Sequence, residues 1–458
     1  MNKVATTHST LTHITQMFRL EGLDCAQYGE ADITHFSFSS KDIKKGTLFF
    51  ALSGENTDGH NYLDEAFQKG AVAAVVRYGK TSKHVVRIEV EDPYMALRVL
   101  AVAQRKTCAH VKRIAITGSN GKTTVKELIY AMFRKEYSVY RSRKNFNTIV
   151  GIAISCLYLH PTHNFAVFEF GMDKRGEINE LCTLFSPDIG VVTNIGTAHI
   201  GSVGNFNDIA KEKKDVLLSL PNDGVAIIPE TSEYTAFLRK GLCCKVEEFG
   251  LKHTKGFLKT DIDLQGNTRL IFQDGELRTS LLGAHNVNNI LAAVHTAQIC
   301  GISFASIKAG VEGFQPIEGR LVLKKGNGCA VIDDTYNASP ESMKAALQVL
   351  KDLSKQFARS FAILGGMEEL GDYSLQAHEE IIELLRAYAF DGGILWGKAY
   401  MQSRRHIPGY EHVETLDEVL IATKKLRCGD VVLVKGSRCY KMETIVQKIL
   451  IGSVKNAA

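Results

Sequence analysis

No two of the ten cysteines in this 458-residue chain are spaced as C-x-x-C, and the one close pair is the adjacent Cys243 and Cys244. A zinc knuckle and a thioredoxin-like redox motif are thereby excluded, and the scatter fits reduced thiols better than a disulfide framework. No apolar run approaches the roughly 20 residues that a membrane-spanning helix needs, and the first thirty residues hold no continuous apolar stretch of signal-peptide type. A cytoplasmic protein is expected. There is no block of Lys and Arg, no internal repeat and no low-complexity tract. The formal charge of +5 is small and evenly spread, which argues against nucleic acid as a partner and suits acidic molecules such as nucleotides and carboxylates. The length suits about three domains, each able to bury its own core.

What is present is organised around residues 113–126, RIAITGSNGKTTVK. An apolar run (Ile114, Ala115, Ile116) ends in a turn bounded by Gly118 and Gly121. The turn opens into a helix with Val125, Leu128, Ile129, Met132 and Phe133 on one face. Such a loop turns backbone N–H groups inward beside a helix N-terminus, and Lys122 adds a full charge where phosphate oxygens would sit. A nucleoside triphosphate is the expected occupant. The pattern G-x-x-x-x-G-K-S/T is incomplete, because Ile116 takes the place of its first glycine; the spacing is Gly118-x-x-Gly121-Lys122-Thr123.

Before residue 105, short apolar runs alternate with polar turns: strands at 47–52 and 71–76, a helix at 62–69 and a helical stretch at 93–105. Between the first two lies Ser53-Gly54-Glu55-Asn56-Thr57-Asp58-Gly59-His60, either a plain loop or a ligand site. After the glycine loop, strands at 165–168 and 189–193 end in Glu169 and Asn194. Ligands gather at the carboxyl ends of parallel strands, so both residues project beside the phosphate loop. Glu169 is then either a Mg²⁺ ligand, with the Thr123 hydroxyl as a second, or a solvated carboxylate. His199 is open between a metal or substrate role and a structural one. Lys211, Lys213 and Lys214 fall in a helical run, 210–216, whose plain reading is a solvated face. Asn286 and Asn289 share one face of a helix opening at His285 and either read a base edge or cap the helix. His160 and His163 read as surface residues.

From residue 316 a second α/β pattern begins, with strands at 330–332, 361–364, 393–396 and 431–434 and helices at 375–389 and 416–426. Another helix has Ser339 as N-cap and Pro340 in its first position. The pattern is Rossmann-like but lacks G-x-G-x-x-G at its first turn, so no dinucleotide site is assigned. The expected fold is α/β in three domains. They are a small N-terminal α/β domain (1–105), a central P-loop-type parallel-sheet domain (106–315) and a C-terminal Rossmann-like domain (316–458).

Four motifs, Thr117-Gly118-Ser119-Asn120-Gly121-Lys122-Thr123-Thr124, Asp333-Asp334-Thr335-Tyr336-Asn337-Ala338-Ser339-Pro340, Ile363-Leu364-Gly365-Gly366-Met367-Glu368-Glu369-Leu370-Gly371 and Val434-Lys435-Gly436-Ser437-Arg438, carry a family resemblance. Together they resemble the Mur ligases, ATP-dependent amino-acid- and peptide-adding enzymes of peptidoglycan synthesis. The resemblance spans all three domains and accounts for the missing first glycine, since the family's phosphate loop is short. It implies ATP and Mg²⁺ as cofactors. The loop residues Gly118 to Thr124 would cradle phosphates, Lys122 the β- and γ-groups, with Arg320 on the γ-phosphate. Asn286 and Asn289 would contact adenine and Asp334 the ribose.

By the same resemblance Thr123, Glu169, His199 and Lys213 would serve the metals, Lys213 as a carbamate. Lys122, Lys213, His199 and Arg320 form the implied catalytic set. Ser40, Glu55, Asp58 and His60 would bind the uridine end of the substrate, and Asn145 and Thr148 its muramoyl peptide. Asn337, Lys435 and Ser437 would bind substrate in the C-terminal domain, which takes the incoming amine. The motif D-N-P-R of diaminopimelate- or lysine-adding members is absent, which favours the dipeptide-adding branch. UDP-N-acetylmuramoyl-tripeptide and D-alanyl-D-alanine are the implied substrates, with a monomer and a hinge near residue 315 that closes on nucleotide. Two departures stand out: Ser39-Ser40-Lys41 replaces D-S/T-R, and Gly366 replaces an Asp. A folylpolyglutamate synthase would share the central domain without needing the loop at 53–60. A P-loop switch protein is weakened by the absence of N-K-x-D.

Overall fold

The computed structural model describes residues 9–54, 57–80, 86–143, 146–198, 200–230, 232–262, 268–403 and 407–451. Near the N-terminus, strands Cys25–Tyr28, Arg87–Val90, Ala71–Arg77, Thr47–Phe50 and His35–Ser37 lie side by side in that order. The first pair is antiparallel and the others are parallel. One face is covered by helices Leu11–Leu20 and Pro93–Thr107 through Leu11, Ile14, Phe18, Leu97 and Leu100. The other packs Phe49, Ala74 and Val76 on Leu63 and Ala66. Covering both faces explains why 71–76 reads as an unbroken apolar run.

The central sheet is parallel throughout, in the order Lys245–Phe249, Val225–Pro229, Ile189–Val192, Lys112–Thr117, Phe165–Glu169, Val139–Arg141. Alternation along Lys112–Thr117 sends Ile114 and Ile116 into the core of helix Lys122–Phe133 and Ala115 into the core on the opposite face. The chain leaves this strand to one neighbour and later returns to the other. The crevice formed by that reversal is where ligands bind in such sheets. A three-stranded antiparallel sheet, Phe257–Ile262, Thr268–Phe272 and Gly275–Thr279, follows. The sequence reading does not place it, since a strand such as Gly275–Thr279 buries only Leu277 and Thr279.

The C-terminal sheet runs Val322–Gly326, Cys329–Asp334, Asp430–Lys435, Arg359–Gly365, Gly392–Trp396, Tyr410–Val413, with only the first pair antiparallel. Its two edge strands escape the sequence reading because each is short and half polar. Helix Pro340–Ser354 opens on Ser339 in a capping box with Ser342. The helix expected at 416–426 ends instead at Ala422 and finishes as a 3-10 turn, Thr423–Lys425.

The central and C-terminal units meet through side-chain and backbone hydrogen bonds. Ser339 Oγ donates to Asn120 Oδ1 at 3.2 Å, and Glu341 accepts from Thr197 N at 2.8 Å and Thr197 Oγ1 at 2.9 Å. Gly201 N donates to Glu369 O at 2.9 Å. The N-terminal unit is tied to the central one by Tyr158, whose hydroxyl accepts from Phe36 N at 3.0 Å and donates to Phe36 O at 3.3 Å.

Candidate active site

The glycine loop at the end of Lys112–Thr117 is built by exclusion. Gly118 (φ 148°) leaves no room for a side chain, because a Cβ there would fall 1.9 Å from Thr193 Oγ1. Gly121 (φ 81°) caps the following helix, and its Cβ would fall 2.2 Å from Asn289 Oδ1. Glycine is needed at both for space, and at Gly121 for its left-handed backbone as well. The strand-end loop beside it holds the turn in place. Asn120 N donates to Asn194 Oδ1 at 2.9 Å, and Asn120 O accepts from Thr193 Oγ1 at 2.6 Å and Asn194 Nδ2 at 2.9 Å. Ser119 Oγ exchanges hydrogen bonds with Gly196 O and N at 3.0 and 2.8 Å.

Lys122 curls over this loop, donating to Gly118 O at 2.7 Å and Ser119 O at 3.3 Å. Burial pulls its pKa below the ordinary lysine value; the Glu169 carboxylate opposes the shift and the Arg320 guanidinium adds to it. Among the described residues its hydrogen bonds go to carbonyls and not to a carboxylate, a setting that favours an anionic ligand. Thr123 Oγ1 donates to Glu169 Oε2 at 2.8 Å, and Glu169 is only 4% exposed, which rules out a solvated carboxylate. Lys126, absent from the sequence reading, is buried beside them with its Nζ 3.1 Å from Ser142 O and 3.8 Å from Glu169 Oε2. Its spacing of one helical turn from Lys122 was the available signal.

Two hard oxygens, a hydroxyl and a carboxylate, therefore meet at the mouth of the phosphate loop. That donor set fits Mg²⁺, which binds through one or two protein oxygens plus phosphates and water. Among the described residues no group of three or more His, Cys, Asp or Glu side chains forms an all-protein metal cage.

Lys213 lies inside helix Phe206–Leu218, not on a solvated face: it is 2% exposed, and its Nζ is 3.9 Å from Met172 Sδ. Burial drives its pKa well below the ordinary value, with Lys122 adding to the shift and Glu212 opposing it. Lys214 is likewise buried and donates to Phe237 O at 2.7 Å, whereas Lys211 is the solvated member.

Asn286 and Asn289 are buried at 5% and 6% exposure on helix Ala284–Ile299, whose N-cap is Gly283 with no side-chain bond. Capping is thus not their role. Asn286 Nδ2 donates to Leu282 O at 2.8 Å and Asn289 Nδ2 to Asn286 Oδ1 at 2.9 Å, which fixes both amides against the loop.

The C-terminal unit completes the site. Arg320 stacks over the Tyr336 ring at 4.0 Å. It follows Gly319 (φ 72°) and precedes Leu321, which is held left-handed at φ 51° while its N–H donates to Asp334 Oδ1 at 3.2 Å. Asp334 Oδ2 accepts from Lys435 Nζ at 2.6 Å, and Lys435 also donates to Asn337 O at 2.9 Å. Burial lowers the Lys435 pKa and Asp334 opposes it. Ser437, 3% exposed, accepts from Glu368 N at 2.9 Å.

One cleft of about 490 Å³ collects residues from both units: Ser119, Asn120, Gly121, Lys122, Thr123, Thr124, Glu169, Asn286, Asn289, Arg320, Asp334, Asn337, Lys435 and Ser437. Gly118 underlies the same loop. Glu341, Glu368 and Cys439 also line the cleft, and sequence reasoning did not single them out. Nothing local marks them, because their partners are distant in the chain. Other expected residues lie elsewhere. Thr148 caps helix Ile149–Cys156, its Oγ1 facing Gly151 N at 3.5 Å. Asp58 accepts from Ser53 Oγ at 3.1 Å and pairs with His60 Nδ1 at 2.6 Å, while His60 Nε2 accepts from Arg77 N at 3.0 Å. Despite partial burial, those bonds hold the Asp58 carboxyl down at about 2. Ser40 lies in the 3-10 turn Ser40–Asp42, its carbonyl accepting from Lys69 Nζ at 3.1 Å. Glu55, Asn145 and His199 lie outside the described residues.

Three family models match the chain: "Mur ligase family, catalytic domain" over residues 32–109, "Mur ligase middle domain" over 116–297 and "Mur ligase, glutamate ligase domain" over 319–438. A UDP-N-acetylmuramoyl-tripeptide--D-alanyl-D-alanine ligase from Treponema pallidum is 33% identical over 448 residues, covering 92% of this chain and 95% of the relative. A crystal structure of MurF from Acinetobacter baumannii superposes with a TM-score of 0.86 at 29% identity, covering 96% and 98% of the two chains. MurF from Thermotoga maritima in complex with ADP gives a TM-score of 0.78 at 26% identity, covering 91% and 96%.

Proposed function

The chain belongs to the Mur ligase family, and from that premise we propose that it joins D-alanyl-D-alanine to the terminal carboxylate of UDP-N-acetylmuramoyl-tripeptide, consuming ATP in peptidoglycan precursor synthesis. The observation that carries this reading is the single cleft in which the phosphate loop of one unit faces Arg320, Asp334 and Lys435 of the other.

The chemistry explains that arrangement. A free carboxylate is a poor electrophile, so its oxygen first attacks the γ-phosphorus of ATP and ADP leaves. The amine nitrogen then attacks the acyl carbon, and the C–O bond to phosphate breaks. Little covalent work falls to the protein; positioning and charge stabilisation do. Lys122 and Arg320 take the charge that builds on the transferring phosphoryl group. Asn286 and Asn289 hold the adenine edge, and Asp334 the ribose, through the lone pairs its bonds to Leu321 and Lys435 leave free. Thr123 and Glu169 would hold Mg²⁺, with His199 and a carbamylated Lys213 serving a second ion. When bound, Mg²⁺ neutralises charge on the phosphate oxygens. Lys213 suits carbamylation because burial favours its neutral amine, the form that reacts with CO₂.

Joints at about residues 105 and 315 separate the three domains, and the left-handed Gly319 and Leu321 just beyond the second support a hinge there. Closure excludes water, which would otherwise hydrolyse the acyl phosphate. The N-terminal domain, with Ser40, Glu55, Asp58 and His60, takes the uridine end, and Asn145 and Thr148 face the muramoyl peptide. Asn337, Lys435 and Ser437 serve the amine. The chain acts as a cytoplasmic monomer without nucleic acid; among the described residues no helix is long and apolar enough to cross a membrane. Phosphate release, measured with UDP-muramoyl-tripeptides and a panel of D-amino-acid dipeptides while each substrate is omitted in turn, tests the reading. Release that needs no amine would overturn it.

A further inference from the structure

Tyr440 occupies a slot made by two missing side chains. A Cβ at Gly366 would fall 2.6 Å from its hydroxyl oxygen, and a Cβ at Gly397 would fall 2.5 Å from it. The ring meets Trp396 edge-on at 4.9 Å between centroids. So seated, the hydroxyl donates to Glu368 Oε1 at 3.2 Å. The backbone of Glu368 is fixed from the same side by its bond to Ser437, while Ser437 N donates to Gly366 O at 3.0 Å. Two strand-end loops are thus laced together around one exposed carboxylate at the edge of the cleft. Burial and the Glu368 charge raise the phenol to about 12, so it remains a donor throughout the neutral range.

Of the other carboxylates lining the cleft, Glu169 is committed to Thr123, Asp334 to Lys435 and Glu341 to Thr197, and Glu369 is not free either. Glu368 differs, because its carboxylate partner is a neutral hydroxyl and no ion pair with a described cation compensates it. Its cationic neighbour in the cleft lining, Arg438, is engaged by Glu443 at 3.2 Å. Of the three reactants, ATP and the acid are anionic. Only the amine arrives as a cation, and an ammonium forms its strongest hydrogen bonds with an ionised acceptor.

We propose that Glu368, held by Tyr440, binds the ammonium of the incoming dipeptide and positions its nitrogen; one proton passes from it to solvent before the nitrogen attacks, and a second leaves with the phosphate. The assignment rests on the ligase reading above. Tyr440 is a positioning residue, acting through Glu368.

The test is steady-state kinetics of Glu368→Gln, Glu368→Asp and Tyr440→Phe with ATP, UDP-muramoyl-tripeptide and D-alanyl-D-alanine, alongside amine-independent acyl phosphate formation. Loss of a charged hydrogen bond predicts that Glu368→Gln raises KM for the dipeptide about 10- to 100-fold. KM for ATP and the tripeptide, and acyl phosphate formation, should hold. Glu368→Asp should recover part of the loss, and Tyr440→Phe should give a smaller rise of the same kind. An unchanged dipeptide KM in Glu368→Gln, or a parallel rise in KM for ATP or in the Mg²⁺ requirement, overturns the assignment. Failure of the unmodified protein to ligate any dipeptide would instead sink the ligase reading.

Discussion

Removing the Glu341 carboxylate should loosen the closed cleft without touching any phosphate contact. Glu341 accepts two hydrogen bonds from Thr197, at 2.8 and 2.9 Å, and Thr197 is 2% exposed, so truncation leaves a buried N–H and hydroxyl without their partner. Bonds to charged groups contribute about 1.5–3 kcal/mol each when isolated. Because Glu341 is partly exposed and both bonds share one carboxylate, about 2 kcal/mol for the pair is the reasonable figure. That corresponds to a closed population lowered about 30-fold relative to open. Glu341→Ala should then raise KM for ATP by up to that factor, since the proposed nucleotide contacts come from both units. Glu341→Gln, which keeps one acceptor oxygen, should fall between. Phosphate-release kinetics would report KM, and small-angle scattering with a non-hydrolysable ATP analogue would report compaction. Wild-type KM together with wild-type compaction in Glu341→Ala would refute the idea that this contact helps hold the units together.

Lys122→Ala should abolish phosphate release while leaving the circular dichroism spectrum unchanged, because Lys122 bonds only to carbonyls of its own loop. Activity should fall when bicarbonate is stripped from the buffer and return on its addition, and ¹³C-bicarbonate should label Lys213 in NMR; neither occurs if Lys213 stays a free amine. Asp334→Asn leaves Lys435, 1% exposed, without its carboxylate and should destabilise the C-terminal domain by about 3–5 kcal/mol in urea unfolding. The double variant with Lys435→Met should recover most of that loss. His378 is buried, accepts from Met367 N at 3.0 Å, and has its pKa lowered by burial below the ordinary 6.5. The unfolded chain therefore binds more protons below pH 6.5, and stability is lost as pH falls below that value, by at most about 1.4 kcal/mol per pH unit from this group. His378→Gln should show a shallower acid limb.

What could be read from the sequence was local. Strand, turn and helix around Gly118 and Gly121 are encoded within a few residues of one another, and Glu169 was placed because a strand end next to a phosphate loop has few other directions to face. Solvation of Lys213 could not be judged from its own helix, since the apolar lid over it comes from elsewhere in the fold. The pairing of Thr197 with Glu341 spans 144 residues and leaves no trace in either segment. Gly366 was legible as a departure, yet its reason, the hydroxyl of Tyr440 in the vacated space, exists only once two strand ends are adjacent. Edge strands such as Tyr410–Val413 were missed because a half-polar run of four residues carries too little periodicity.

Three lysines show how the same side chain is assigned different work by its surroundings. Lys435 and Lys213 are buried and Lys122 is half-buried, and loss of solvent is the first cause lowering each pKa. What opposes burial differs. Lys435 has a carboxylate at 2.6 Å that pairs with its charge, and it holds Asp334 and the backbone near Asn337. Lys122 bonds to two carbonyls and feels the Glu169 carboxylate without an ion pair to it among the described residues, so a triphosphate that reaches it supplies a directly bonded counter-charge. Lys213 has a thioether at 3.9 Å, a weak acceptor, with the Glu212 carboxylate opposing the effect of burial. It is the one of the three that gains by ceasing to be an amine. Conversion to a carbamate, as proposed for Lys213, would turn a poorly solvated base into an anion beside Lys122.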